Sequence, residues 1–265
     1  MNFKGFHFSL LALIFAHSLS VFLLVSISPR HYFPGNDTTE AEKHGKLNAK
    51  GVENVFKELA VENFTNIPKA IAAGADRIEL NDNLAVGGTT VSRGVMACSA
   101  QYTRENNIPL VCMIRPRGGN FVYDDMELAM MIGDIRSANE LRVPAVAFGA
   151  TTAAGRLDTR AMSMLIEASA GMDVVCHMAF DAIADEYQRG AVDWLAEHGV
   201  KRILTHGGML SQPIDATLLR LQEICRWANG RIEILPGGGI NPNNAIMVTA
   251  ALGVHAVHGT RIVKY

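Results

Sequence analysis

The chain has 265 residues, 49% of them hydrophobic, 19% charged and 7% aromatic, with a formal net charge of −2. That length and balance suit a globular protein with a sizeable core. They exclude the basic surface field that draws nucleic acid, and no stretch interleaves basic and aromatic residues, so no nucleic-acid partner is expected.

Residues 1–50 read as a separate object. Phe8 to Ile27 is almost wholly apolar, about 20 residues, enough for a helix to span a bilayer. Asp37 to Lys50 is polar and reads as a linker. Lys4 precedes the apolar run, whereas Arg30, Lys43, Lys46 and Lys50 follow it, a bias that keeps the remainder of the chain in the cytoplasm. Three readings stay open: a retained anchor on the inner face of the membrane, a secretory signal, or upstream sequence from a start placed too early. Pro29 directly after Ser28 argues against a cleavage site there. Membrane contact is expected only through residues 8–27.

Residues 51–265 form the folded part, and from Val55 a rhythm repeats. Strands are predicted at Phe56–Val61, Arg77–Leu80, Pro109–Ile114, Ala145–Phe148, Asp173–His177, Arg202–Thr205, Ile232–Leu235 and Ala256–His258. Helices are predicted between them at Asn66–Ala73, Ser92–Asn106, Asp124–Leu141, Asp158–Ala170, Glu186–Glu197, Asp215–Trp227 and Asn241–Ala251. Acidic residues open several of these helices and glycines follow several, as the helix dipole and C-cap geometry favour. Strict alternation of β and α over eight units predicts a closed (β/α)8 TIM barrel. The alternative, an open doubly wound sheet, lacks its Gly-x-Gly-x-x-Gly signature after the first strand.

A closed barrel gathers the C-terminal strand ends at one mouth. Met113-Ile114-Arg115-Pro116-Arg117-Gly118-Gly119 stands out: two guanidinium forks and a Gly-Gly pair where a strand leaves the core. Arg115 and Arg117 are candidate clamps for a carboxylate or phosphate. Glu79, His177 and His258 are candidate catalytic acids and bases. Glu62, Asp181, Thr205 and His206 are further pocket candidates. After the last two strands, Gly238, Gly239, Asn241, Gly259 and Arg261 are candidate anion-binding residues. Asn241-Pro242 is read there as a helix start with Asn as N-cap.

Alternation places Val111, Met113 and Val175 in the lumen with Arg115 and His177, and turns Cys112 and Cys176 toward the helices. Cys98, Cys112, Cys176 and Cys225 include no C-x-x-C pair and read as buried free thiols of a reducing compartment.

In order along the chain, Arg77-Ile78-Glu79-Leu80, Gly87-Gly88-Thr89-Thr90, the Met113–Gly119 run, His177-Met178-Ala179-Phe180-Asp181, Arg202-Ile203-Leu204-Thr205, Pro236-Gly237-Gly238-Gly239 and His258-Gly259-Thr260-Arg261 resemble the CutC family. The match runs from about Glu58 to the C-terminus. The resemblance implies a cytoplasmic, dimeric TIM-barrel protein concerned with copper homeostasis and Cu(I) handling. It also implies a departure: the thiols that many relatives carry, proposed to hold copper, correspond here to Ala60 and Asn81. Cu(I) prefers soft thiolate or thioether ligands, which neither supplies. Two functions follow as expectations, a copper-homeostasis protein and an enzyme acting on a small anionic metabolite.

Overall fold

The computed structural model describes residues 55–264. The apolar run from Phe8 to Ile27 and its linker lie outside the described residues.

Eight strands alternate with seven α-helices in the predicted order. They are β1 (Phe56–Glu62), β2 (Arg77–Asn81), β3 (Leu110–Met113), β4 (Ala145–Phe148), β5 (Asp173–Cys176), β6 (Arg202–Thr205), β7 (Glu233–Pro236) and β8 (Ala256–Gly259). The helices are α1 (Ile67–Ala72), α2 (Arg93–Glu105), α3 (Asp125–Glu140), α4 (Thr159–Ala168), α5 (Asp185–Glu197), α6 (Ile214–Ala228) and α7 (Ala245–Leu252). All paired strands are parallel. The hydrogen-bonded order β7-β6-β5-β4-β3-β2-β1-β8 brings the ends of the sheet together, and β7 and β8 lie side by side. This is the TIM barrel.

Local chemistry starts the helices where the sequence marks them. Ser92 accepts from Val95 N–H, and Asp124 and Glu127 form a reciprocal capping box on α3. Asp158 accepts from Ala161 N–H. The last helix differs from expectation. The Asn241 side chain accepts from Asn243 N–H, and Asn244 Oδ1 accepts from Asn241 N–H. These local bonds hold the segment in a turn, so α7 begins only at Ala245, with Asn244 as its N-cap.

The core has two layers. Leu59, Ile78, Cys112, Val146, Cys176, Ile203 and Val257 face outward and pack against the helices. Val111, Ala145, Ala147, Val175, Leu204, Leu235 and Ala256 fill the lumen. The alternation read from β3 and β5 is therefore correct. Of the four thiols expected to be buried, Cys112 and Cys176 are; Cys98 on α2 is exposed and Cys225 on α6 is half-buried.

Candidate functional site

β2, β1 and β8 are hydrogen-bonded neighbours, and their lumen-facing positions carry charge where the rest of the lumen is mostly apolar. In register, Glu58 stands beside Arg77 on one side and His258 on the other. Arg77 Nε donates to Glu58 Oε2. His258 Nδ1 lies 2.8 Å from Glu58 Oε1, and its Nε2 lies 3.8 Å from Glu79 Oε2. Asn81 Nδ2 donates to that same Glu79 oxygen at 2.9 Å. All five side chains are buried. One imidazole is thus held between two carboxylates, with a guanidinium behind the first.

The electrostatics divide the roles. Burial opposes the charge of Glu58, but Arg77 and His258 outweigh it and hold the carboxyl far below the usual carboxylate range. Burial also opposes a charged His258, yet Glu79 and Glu58 together raise it above an ordinary histidine. Glu79 is raised, chiefly by burial and further by the Glu58 charge, against the pull of His258. Glu58 is therefore held as an anion, while His258 and Glu79 are both shifted toward their protonated forms.

His177 is of the opposite kind. It follows β5 and caps the 3-10 turn Met178–Ala182, its Nδ1 accepting from Ala179 N–H at 3.2 Å. That bond assigns the proton to Nε2. Burial and the Arg115 charge push its pKa down to about 3, so the ring stays neutral. His177 Nε2, Glu79 Oε1 and Asn81 Oδ1 are buried with no hydrogen-bond partner among the described residues. Such atoms are costly to leave unsatisfied, and all three residues line one cavity.

That cavity has a volume of about 1060 Å³ and opens at the C-terminal strand ends. Glu79, Asn81, Arg115, His177 and His258 line it together with Met113, Met178 and Phe121. Phe121 stands between two of them: its ring is 4.7 Å from the Arg115 guanidinium carbon and 5.1 Å from the His177 ring. The β7–β8 side contributes Gly238, Gly239, Asn241, Gly259 and Arg261, along with Lys264. Gly239 has φ of +75° and open space where a side chain would stand. At Gly259 a Cβ would lie 2.7 Å from the Ile240 carbonyl oxygen, so close backbone packing requires glycine there. Asn241 belongs to the turn before α7 rather than to its N-cap.

Other expected site residues are committed to the scaffold. Arg117 pairs with Glu127 and donates to the carbonyls of Gly118, Asn120 and Val122, outside the cavity lining. Arg115 lines the cavity, but its fork is largely occupied: Nη1 donates to Val86 and Gly88 carbonyls and Nη2 to Gly119. It offers the site its charge more than a free pair of donors. Glu62 is exposed and accepts from Leu84 N–H. Asp181 accepts from the Thr205 hydroxyl and from the N–H groups of His206 and Gly207. His206 has its two ring nitrogens 3.0 and 3.2 Å from the carbonyl oxygens of Gly237 and Gln212. Asp181, Thr205 and His206 latch the loop after β6 and do not line the cavity.

Reading strand ends alone misses Glu58 and Arg77, which lie deeper. The signal was present: each is a charged residue at an inward position of a buried strand. Asn81, Phe121 and Lys264 also join the lining unannounced.

A closed parallel barrel with Glu79, His177 and His258 lining a cavity at its C-terminal strand ends defines a TIM-barrel protein with a pocket at the barrel mouth. The CutC family profile matches residues 55–263, and the chain belongs to the CutC family. It is 50% identical over 209 residues to the CutC family protein of Enterococcus faecalis, covering 79% of this chain and 100% of the relative. To that of Streptococcus pyogenes it is 42% identical over the same lengths. A solved structure from Streptococcus agalactiae, described as a candidate copper homeostasis protein CutC, superposes with a TM-score of 0.77 at 42% identity, covering 79% of this chain and 100% of that one. Deoxyribose phosphate aldolase from Aeropyrum pernix superposes at 0.57 with 11% identity, covering 78% of this chain and 85% of that one, a likeness of fold alone.

The thiols offer Cu(I) no site in the cavity. Cys112 and Cys176 face the helices, Cys98 is on the surface and Cys225 on α6, and none lines the cavity. Burial pushes the Cys176 thiol up to about 12 and raises Cys112 as well, so neither is a ready thiolate. The His177 nitrogen facing no partner carries the ring proton and has no lone pair for a metal. Glu58, Glu79 and His258 converge within 4.8 Å. Arg77 already neutralises Glu58, and the His258 ring spans the space between the carboxylates.

Proposed function

We propose that this protein is an enzyme that acts on a small anionic metabolite by acid–base catalysis. The observation that carries the reading is the buried chain Glu58–His258–Glu79 on the wall of a cavity large enough for a metabolite. A structural ion pair needs no second carboxylate and no adjoining cavity. The surroundings hold Glu58 low and raise Glu79, so the two carboxyl groups are driven to opposite protonation tendencies, the arrangement that separates their roles. Arg115 supplies positive charge along one wall. Gly238 and Gly239, with exposed Arg261 and Lys264, supply backbone N–H groups and positive charge at the mouth, where an anionic group would rest.

A thermal-shift screen of small carboxylates and phosphate esters tests the reading. Anionic ligands should raise Tm, and the Arg261→Ala/Lys264→Ala double variant should lose most of that rise. If no anion stabilises the wild-type chain, the proposal fails.

The second reading is the copper role attached to the Streptococcus agalactiae structure. Met113 and Met178 favour it, because both thioethers line the cavity. Cu(I) titration against a competing chelator separates the two. Stoichiometric binding abolished by Met113→Leu supports copper; competition won wholly by the chelator removes it.

A further inference from the structure

We infer that the substrate is a hydroxy-carbonyl compound with an anionic tail, and that the reaction is a proton shift through an enediol, an isomerisation. The inference rests on the acid–base reading above and narrows it to one chemistry.

The donor inventory decides. Glu79 Oε1, at a lumen position of β2, is an acceptor without a partner, whereas Asn81 Oδ1 lies against Gly88. An acceptor so placed calls for a hydroxyl group on the ligand. His177, just after β5, brings an N–H without a partner, and its ring is held neutral. A neutral imidazole polarises a carbonyl and meets a developing enolate without protonating it outright. Glu79 is the base: His258 Nε2, 3.8 Å from its Oε2, favours the anion, while burial raises its pKa and strengthens it as a proton acceptor. Among the described residues no thiol lines the cavity, and the one lysine that does, Lys264, is exposed beyond β8. Thioester and imine chemistry from a desolvated nucleophile therefore lack their residue.

The step balances without a co-reactant. The Glu79 carboxylate takes a proton from the carbon beside the carbonyl. The electrons of that C–H bond form a C=C bond, and the carbonyl π pair moves onto oxygen, facing His177 Nε2–H. Glu79 returns the proton to the neighbouring carbon on the same face, while the hydroxyl proton crosses between the two oxygens. Nothing is oxidised or reduced overall.

Proton NMR of the full chain in D₂O tests this with glyceraldehyde 3-phosphate, erythrose 4-phosphate and ribose 5-phosphate as probes. Glycerol 3-phosphate, which has no carbonyl, serves as the binding control. Deuterium should enter the carbon beside the carbonyl in at least one probe. Glu79→Gln should slow that exchange about 100-fold or more while the thermal shift by glycerol 3-phosphate persists. His177→Asn should slow it by a smaller factor at unchanged probe affinity. If glycerol 3-phosphate stabilises the chain but no probe exchanges above its enzyme-free rate, the enolisation inference is overturned and the anion pocket stands. Exchange that survives Glu79→Gln also overturns it. If no anion binds at all, the underlying reading falls with it.

Discussion

His258 Nδ1 lies 2.8 Å from Glu58 Oε1 although 200 residues separate the two in sequence. Closure of the barrel between β8 and β1 makes the contact, and the contact in turn fixes the imidazole against Glu79. A helical or open-sheet protein would leave the same two residues as unrelated surface charges.

The first prediction concerns that pair. Glu58→Gln removes an anion that favours the charged form of His258 and that accepts from Arg77 Nε. The His258 pKa, followed by NMR titration of the ring protons, should fall. Chemical denaturation should show a loss of about 3–5 kcal/mol, the usual cost of breaking a buried pair from one side. An unchanged His258 titration would show that Glu58 does not control it.

pH dependence follows from His177. Its folded pKa, about 3, lies below the ordinary 6.5. Below 6.5 the unfolded chain binds a proton that the native ring refuses, so this group lowers stability as pH falls from about 6.5 to about 3. The full effect is of order 5 kcal/mol. His177→Asn keeps a side-chain acceptor for Ala179 N–H and removes the titration. Urea denaturation at pH 7, 5 and 4 should therefore show a shallower acid loss in the variant. His258 has the opposite sign: its raised pKa adds stability below 6.5 that is lost as pH rises through the folded value.

Thiol reactivity should divide sharply. Cys98 is exposed and should react with a chromogenic disulfide reagent within the dead time of mixing. Cys112 and Cys176 are 0% exposed with raised pKa values and should react only on unfolding. Cys225 should fall between. Protection of Cys112 or Cys176 by added Cu(I) would contradict their placement outside the lumen.

Arg115 ties three loop carbonyls, those of Val86, Gly88 and Gly119, into one wall of the cavity. Arg115→Lys keeps the charge but cannot reproduce this fork. Amide hydrogen exchange in residues 84–90 and 118–121 should accelerate at least tenfold, and Tm should fall. If exchange there is unchanged, the arginine does not organise the loops.

Much of the architecture was legible in the residues themselves. Eight β-rich runs separated by helices imply a barrel, and period-two alternation correctly turned Cys112 outward and His177 inward. Local chemistry also misled: Asn241-Pro242 reads as a helix start, but asparagine side chains bond within the turn and delay α7 to Ala245. The boundaries of β3 and β5 fell short of Arg115 and His177, which stand just beyond the strands that aim them.

The sequence alone determined which residues face the lumen, because strand alternation is a local property of the pleated backbone. Only the tertiary structure decided which polar side chains remain free for chemistry. Asp181 and His206 had the right type and place, but segments distant in sequence supplied their hydrogen-bond partners, and Arg117 is taken up by its own loop and by Glu127 of α3. Glu58 and Arg77 gained their importance the same way, from neighbours that the closure of the barrel brings to them.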